Sequence, residues 1–366
     1  MKSTFGNAIS FSVFGESHGQ NIGIVIDGLA PGIKIDLDYM NHQLDLRKPK
    51  GKISTARKES DIPKIVSGYF NGYTTGTPLT IIFENSNTQS KDYASIKDNM
   101  RPSHADYTAN LKYLGYQDYR GGGHFSGRLT TPIVAYGAIA LQILASKGIK
   151  IATHIKKLNT IEDEEFDFNN IDKQLDYLND EYFPVLSKNK AKEMQEFAEK
   201  CAKDGDSCGG ILESVIINMP KGIGEPMFNS IESVLSHLLF SVPAIKGVEF
   251  GLGFDFANYL GSEVNDSFYY DENKEVKTRT NNNGGINGGI SNGMPIVIKS
   301  VVKPTPSIFK VQDTINLKEE TNIRYQINGR HDPAIIHRAR VVIDSVIAIG
   351  LLELLSQRNG YLNMED

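Results

Sequence analysis

The chain has 366 residues, including 34 glycines, and its 39 lysines and arginines against 44 aspartates and glutamates leave a formal charge of −5. With 40% apolar and 23% charged residues, the composition predicts a folded protein with ample core and excludes disorder, collagen and a disulfide scaffold. The acidic balance argues against a general nucleic-acid binder, which carries a basic surplus. It does not exclude an anionic substrate, because the local field decides what a pocket binds.

The predicted elements alternate between strands and helices along the whole chain. They are strands at 9–14 and 22–26, a helix at 36–48 with Asp36 as N-cap, a strand at 79–83, a helix at 131–147, a strand at 149–153, a helix at 187–203, a strand at 211–219, a helix at 229–241, a strand at 296–302 and a helix at 334–356. The acidic segment 162–181 is interpreted as solvated peripheral structure. Strand–helix–strand order appears in both halves, and no linker divides the chain.

Two features bear on the cellular compartment. The N-terminus lacks the apolar block and cleavage site of a signal peptide, and the most apolar stretch, 341–355, contains Asp344 and Glu353, so we expect no membrane-spanning helix. Cys201 and Cys208 form neither a disulfide framework nor a zinc site and are interpreted as ordinary thiols. We therefore expect a cytoplasmic protein with no membrane partner.

The first two candidate motifs each carry a histidine. In FGESHG, Ser17 and His18 follow an apolar strand; adjacent side chains on a strand point to opposite faces, so a catalytic pair needs the bent glycine turn. His18 is then either presented to a pocket or an ordinary surface or core histidine. In RPSHAD, Arg101 suits a carboxylate or phosphate and His104 moves protons near neutral pH, whereas Asp106 is better interpreted as a helix N-cap.

The third motif is the most informative, because three glycines run directly into a helix. The stretch from Arg120 to Arg128 reads RGGGHFSGR, and its glycines permit positive φ and a close backbone approach. The N-terminus of the following helix offers free N–H groups and a positive dipole end. The spacing matches neither a Walker loop nor the dinucleotide fingerprint, so an anion site or a structural glycine turn remains.

Two further motifs lie near the C-terminus. GRHDP places Asp332 before Pro333, which suits a helix N-cap, although arginine, histidine and aspartate together also supply an anion clamp, a proton carrier and a base. The glycine loop 284–293 and the segment KPTPS at 303–307 offer backbone donors, hydroxyls and an ammonium suited to a phosphate-bearing cofactor. We expect no metal.

Arginines, lysines, histidines and glycine loops thus recur together at several places. The basic segment 47–58 adds Arg47, Lys48, Lys50, Lys52, Arg57 and Lys58. From the residues alone we expect an enzyme that binds polyanionic small molecules and moves protons with histidines, without knowing the reaction.

In their order along the chain and in their residues, the motifs resemble those of the chorismate synthase family. The resemblance runs from Phe5 to about Leu355 through FGESHG, STARKESD, RPSHADYT, YRGGGHFSGRLT, IKGVEFGLGF, NNNGGINGGISNG, KPTPS and GRHDPAIIHRA. It implies a carbon–oxygen lyase that eliminates phosphate in the anti-1,4 sense from 5-enolpyruvylshikimate 3-phosphate, giving chorismate for aromatic amino acid biosynthesis. Reduced FMN is implied as cofactor without net redox change: it lends electron density to the departing phosphate, and one of its nitrogens takes up the C6 proton.

The resemblance also implies roles for residues at the matching positions. His18 would protonate the departing phosphate, His104 would support the reduced flavin, and Asp332 would tune the flavin nitrogen that accepts the proton. The implied substrate ligands are Ser17, Arg47, Lys52, Arg101, Ser126, Arg128 and Arg330. The implied FMN ligands are His124, Phe125, Ser126, Pro243, Ala244, Gly288, Lys303, Pro304, Thr305, Pro306, Ser307 and Arg330.

This chain departs from the usual family pattern at four positions within the motifs. Ser103 replaces the glycine of RPGHAD, His124 and Phe125 replace an arginine and a serine in the glycine motif, and Lys52 stands where arginine is common. Lysine loses the bidentate geometry of arginine, and histidine keeps its positive charge only part of the time.

For the whole chain, the resemblance implies an α+β fold, a layered sandwich of β-sheets and helices forming one domain over 1–366, and a homotetramer. Without room for an appended flavin-reductase domain, we expect an external flavin reductase or reductant, with NADPH only as the source of electrons. Two alternatives stay open: another flavin-dependent or phosphate-eliminating enzyme on the same scaffold, and a non-catalytic anion-binding protein.

Overall fold

The structure, a computed structural model, describes residues 3–51, 53–54, 60–85, 97–327 and 332–359. Its helices are α1 (Leu37–Arg47), α2 (Asp106–Lys112), α3 (Thr130–Ser146), α4 (Ile171–Asp180), α5 (Lys188–Lys203), α6 (Ile231–Ser241), α7 (Gly261–Val264) and α8 (Ile336–Asn359). Its strands are β1 (Thr4–Phe5), β2 (Ser10–Gly15), β3 (Asn21–Asp27), β4 (Lys64–Ser67), β5 (Tyr69–Phe70), β6 (Tyr73–Thr74), β7 (Leu79–Glu84), β8 (Lys150–Leu158), β9 (Ile161–Glu162), β10 (Gly210–Ile217), β11 (Ile245–Phe250), β12 (Phe268–Tyr270), β13 (Val276–Thr278), β14 (Ile286–Asn287), β15 (Ile290–Ser291), β16 (Ile296–Val302), β17 (Gln312–Asn316) and β18 (Thr321–Tyr325).

Most strands belong to two five-stranded sheets. The first has the order β1-β2-β3-β7-β4 and the second β11-β16-β10-β8-β9, and neighbouring strands run antiparallel in both. The strand–helix–strand order of the sequence therefore does not produce parallel pairing in either sheet. The other strands form four two-stranded ribbons, which are β5-β6, β12-β13, β14-β15 and β17-β18.

The central helices lie between the two sheets. α3 packs on β3 and β7 of the first sheet and against α8, which lies on β8 and β10 of the second. The second sheet is also covered on its other face, where α4 contributes Leu175 and Leu178 to a separate apolar cluster. The predicted α+β layered sandwich is confirmed, and one contiguous core joins both sheets.

Local signals explain why several elements start and stop where they do. The side chain of Asp36 accepts a hydrogen bond from the backbone N–H of Tyr39, at 2.9 Å, so the predicted N-cap of α1 is confirmed. In β3, Ile22, Ile24 and Ile26 alternate toward the core, as period-two patterning requires.

The segment Gly127–Ser146 is long and apolar enough to cross a membrane, judged by length and composition alone, with a mean hydropathy of 1.5. This differs from the expectation that no segment has the composition of a membrane-spanning helix. In the structure 72% of that window is buried against the rest of the protein. An all-round apolar helix between two sheets has the same composition as a membrane span, and α3 is such a core helix.

The acidic segment 162–181 is not wholly solvated, because Asp163 is buried. Its carboxylate lies 2.7 Å from Nδ1 of His154, whose Nε2 lies 3.1 Å from the carboxylate of Glu213. Burial alone would lower the pKa of His154, but hydrogen bonds to the two carboxylates outweigh it and the pKa is raised. His154 on β8 therefore lies between two buried carboxylates that favour its charged form.

Replacing His154 tests this buried triad. A raised pKa stabilises the fold fully below the unfolded value near 6.5, and this contribution is lost as the pH rises through the folded pKa. His154→Gln leaves two buried carboxylates without a cation and is expected to lower the free energy of unfolding by about 3 kcal/mol at pH 6. Urea unfolding at pH 6 and pH 9 measures this.

The matched control for that experiment is the exposed His42, which faces Asp180 at 3.6 Å. His42→Gln is expected to change the free energy of unfolding by less than about 0.5 kcal/mol. Equal effects of the two substitutions, or a His154→Gln loss that is as large at pH 9 as at pH 6, would contradict a charged His154.

Candidate active site

The turn between β2 and β3 presents the first predicted catalytic residue. β2 ends at Gly15, so Ser17 and His18 lie in the turn, and both side chains are buried. The backbone N–H of Ser17 donates to the carbonyl of Gly123, at 3.0 Å, which docks the turn on the triple-glycine segment.

The triple-glycine segment adopts the backbone conformation that its sequence predicts. Gly121, Gly122 and Gly123 have φ of 58°, 84° and 52°, all in the region that favours glycine. A Cβ on Gly121 would lie 2.3 Å from Cε1 of His18, and one on Gly122 would lie 3.5 Å from Cε1 of His104. The two predicted catalytic histidines therefore lie against consecutive glycines of one turn.

His104 is held by an aspartate that we had interpreted as a helix cap. That interpretation of Asp106 was wrong: Ala105 is the N-cap of α2. The carboxylate of Asp106 instead accepts from Nδ1 of His104, at 2.7 Å, and from Nε and an Nη of Arg101, both at 2.7 Å. Burial would raise the pKa of Asp106, but these hydrogen bonds hold it well below its usual range.

The same surroundings keep His104 neutral. Burial first, and then the charge of Arg101, lower the pKa of His104 despite its hydrogen bond to Asp106. Because Asp106 is ionised and can only accept, Nδ1 of His104 carries the proton and Nε2 has a free lone pair. His104 is thus built as a hydrogen-bond acceptor at neutral pH.

Two predicted substrate ligands meet at one buried carboxylate. Asp61 lies between Arg47, at 2.8 Å, and Arg128, with which it forms a close ion pair. The two guanidiniums outweigh the burial of Asp61 and lower its pKa, while burial lowers the pKa of Arg47 to about 10. Two cations against one anion leave a net positive charge. Among the described residues, Nε of Arg47 and an Nη of Arg128 have no hydrogen-bond partner.

An asparagine joins this cluster to the His18 turn. The side-chain oxygen of Asn85 accepts from Nε of Arg128, at 3.0 Å, and its nitrogen donates to the carbonyls of Glu16 and Gly19. The orientation of Arg128 is therefore coupled to the turn that carries His18.

Asp332 reaches the same cluster through Arg338. A guanidinium nitrogen of Arg338 lies 3.0 and 3.1 Å from the two oxygens of Asp332, and its Nε donates to the carbonyl of Arg47, at 2.9 Å. The alternative N-cap role of Asp332 is wrong, because α8 begins four residues later, at Ile336.

The predicted cofactor segment 303–307 lies beside Arg101. Lys303 donates from its backbone to the carbonyl of Ala244, at 2.9 Å, and from Nζ to the carbonyl of Ser103, at 2.6 Å. A guanidinium nitrogen of Arg101 lies 3.5 Å from Oγ of Ser307. In the part of the chain that the structure describes, the buried Oγ1 of Thr305 has no partner. An ammonium, hydroxyls and an orphaned donor fit a phosphate-bearing group.

The predicted ligands at positions 124–126 have three different surroundings. Nδ1 of His124 lies 2.8 Å from the carbonyl of Gly15, so this nitrogen donates to the β2 end. Phe125 is partly exposed and packs edge-on against Tyr113. Oγ of Ser126 caps the 3₁₀ turn Gly127–Leu129 by accepting from the N–H of Arg128.

Gly288 lies apart from Pro243 and Ala244, two other predicted cofactor ligands. Its neighbour Gly289 accepts from the N–H of Ile231 at the start of α6, whereas Pro243 and Ala244 follow the end of that helix, about 16 Å along its axis. Pro304 and Pro306 lie in the segment that follows β16, between Lys303, Thr305 and Ser307. Lys52 and Arg330 lie outside the described residues.

Three residues that complete the site were missed at the level of sequence: Asp61, Asn85 and Arg338. Asp61 and Arg338 fall inside the matching motifs STARKESD and GRHDPAIIHRA, so a signal was available for them. Asn85 follows β7 without any distinguishing pattern. The described ranges contain no group of three or more His, Cys, Asp and Glu side chains arranged to hold a metal ion.

Comparison with known proteins shows the family of the chain. The family model described as Chorismate synthase matches residues 9–355. The chain is 46% identical to the chorismate synthase of Pyrococcus abyssi over 350 residues, which cover 96% of each chain. It is 43% identical to that of Methanocaldococcus jannaschii, with 99% of this chain and 98% of the relative covered.

A solved structure shows the same fold. A crystal structure of chorismate synthase superposes with a TM-score of 0.76 at 26% identity and covers 97% of this chain and 94% of the other. The chain belongs to the chorismate synthase family.

Proposed function

We propose that the protein eliminates phosphate in the anti-1,4 sense from 5-enolpyruvylshikimate 3-phosphate, forming chorismate in the shikimate pathway. One observation carries the proposal: His18 and His104 lie against consecutive glycines of one turn, and hydrogen bonds lead from that turn to a buried arginine pair. Family membership supports it, because the matching relatives bear the name of that reaction's enzyme.

The arginine pair supplies the anion site of the proposal. The substrate carries a phosphate and two carboxylates, and Arg47 and Arg128 hold one positive charge in excess of Asp61. Their orphaned N–H groups lie in a buried region, where a hydrogen bond to an anion is stronger than in water. We assign Arg101 and Ser17 to the same substrate.

Reduced FMN is the proposed cofactor, with Lys303, Thr305 and Ser307 holding its phosphate and hydroxyl groups because their donors fit such a group. When bound, it supplies electron density for phosphate departure and a nitrogen that accepts the C6 proton. His18 donates a proton to the departing phosphate oxygen. His104, oriented by Asp106, accepts a hydrogen bond at Nε2, and Asp332 is held beside Arg338.

We further propose a cytoplasmic homotetramer that depends on an external flavin reductase, with NADPH only as the source of electrons. Two free thiols, Cys201 and Cys208, fit a reducing compartment. The tetramer is what the family resemblance implies, and exposed apolar side chains such as Phe228 are available for contacts between copies. A solution mass equal to one chain, measured by light scattering, would contradict the tetramer.

An anaerobic assay tests the reaction. Purified protein with photoreduced FMN and 5-enolpyruvylshikimate 3-phosphate is expected to release chorismate and phosphate in equal amounts. If calorimetry shows that flavin and substrate both bind and no chorismate forms, the proposal is wrong. The same assay separates it from the two alternatives, since another elimination yields a different product and a binding protein yields none.

Histidine variants test the assigned roles in that assay. His18→Ala and His104→Ala are each expected to lower kcat by about 10²- to 10⁴-fold, because the first removes the proposed proton donor and the second the proposed hydrogen-bond acceptor. His42→Ala, an exposed histidine, serves as control and is expected to retain full activity. Full activity of either site variant would remove the role assigned to it.

The glycine turn offers a sharper steric test. Gly121→Ala places a Cβ 2.3 Å from the His18 ring at a φ of 58°, so we expect at least a 100-fold loss of kcat from displacement of His18. Gly127→Ala, in the same segment, meets no atom within 4 Å and is the matched control. A Gly121→Ala enzyme as active as Gly127→Ala would show that His18 does not depend on that approach.

A further inference from the structure

Tyr182 lies outside the proposed catalytic machinery and holds the basic segment that begins at Arg47. Its hydroxyl donates to the carbonyl of Lys48, at 2.9 Å, and accepts from the backbone N–H of Lys50, at 2.8 Å. One hydroxyl therefore binds the backbone on both sides of Pro49 and fixes the distance between Lys48 and Lys50. The ammonium of Lys50 also lies 5.0 Å from the centre of the Tyr182 ring, a cation–π distance.

His337, in the first turn of α8, contacts Tyr182 through a hydrogen bond and through its ring. The side chain is 1% exposed. Its Nε2 lies 3.2 Å from the hydroxyl of Tyr182 and 3.0 Å from Oγ of Ser54, and the two rings pack edge-on with centroids 5.0 Å apart. The pair thus contacts the basic segment at Lys48, Lys50 and Ser54.

His337 acts here through hydrogen bonds and shape. Burial, followed by the charge of Arg338, lowers the pKa of His337 to about 3, so the ring is neutral throughout the working range. The next residue, Arg338, adds a further tie through the carbonyl of Arg47. The first turn of α8 therefore contacts the segment at Arg47 and at Ser54.

We propose that Tyr182 and His337 are positioning residues that preorganise the Arg47 segment for the anionic substrate. The inference rests on the proposed function for the identity of that substrate. Ordering a loose backbone opposes binding, so a segment that is already held binds an anion more tightly than a loose one. Neither residue touches the reacting atoms, so the effect falls on binding.

The hydroxyl of Tyr182 can be deleted without loss of the ring. Tyr182→Phe is expected to raise KM for 5-enolpyruvylshikimate 3-phosphate about 10-fold and to leave kcat within about 2-fold. Tyr177→Phe on α4 removes another half-buried tyrosine hydroxyl and is expected to change neither constant. An unchanged KM in Tyr182→Phe, with the fold verified by circular dichroism, would overturn the proposal.

Replacement of His337 separates positioning from a merely structural role. His337→Gln keeps a nitrogen at the Nε2 position and is expected to hold KM within about 3-fold of the wild type, whereas His337→Leu raises it about 10-fold. Because His337 is neutral, the pH profile of kcat/KM is expected to keep all its inflections in both variants. Loss of an inflection near neutral pH, or no rescue by glutamine, would overturn the assignment.

A binding measurement keeps this inference separate from the proposed reaction. Calorimetry with inorganic phosphate is expected to show about 10-fold weaker binding to Tyr182→Phe than to the wild-type protein. If the wild type forms no chorismate but this ratio is found, the proposed function fails and the positioning role stands. Equal phosphate affinities in an enzyme that does form chorismate would refute the positioning role alone.

Discussion

The site depends on one buried carboxylate placed between two buried guanidiniums. Asp61 pairs with Arg47 at the end of α1 and with Arg128 in the turn before α3, so it ties two distant parts of the chain at one point. A lone buried guanidinium is strongly unfavourable, and two without a counter-ion would repel each other. One carboxylate relieves this repulsion and still leaves one charge for an anion. Through Asn85 and Arg338 the same cluster reaches His18 and Asp332.

Local patterns predicted the elements well wherever their causes are local. Asp36 caps α1, and the strand 296–302 was placed at its observed bounds, because capping and alternation depend on near neighbours. The antiparallel pairing and the placement of helices between the sheets depend on contacts between distant segments, which no window of sequence contains. Ser103 has a φ of 57°, in the left-handed region that favours glycine, and only the structure shows this strain.

The wrong interpretations share a physical reason. Asp106 was assigned to a cap and Asp163 to a solvated segment because acidic residues in polar stretches usually have those roles. Both are instead held by side chains from elsewhere: Asp163 by His154 across the β8–β9 turn, and Asp106 by Arg101 and His104. A carboxylate becomes buried when a cation is brought to it, and the partner cannot be identified until the fold is known.

The net charge of −5 and a polyanionic ligand are compatible because the charges are segregated by depth. Exposed carboxylates such as Asp172 and Asp180 lie on peripheral helices, where solvent and salt screen them within about 10 Å. Arg47 and Arg128 are 7% and 4% exposed at the side chain and act in a medium that screens them far less. A substrate anion that reaches them therefore responds to the two nearby cations, while the acidic exterior contributes little at that depth.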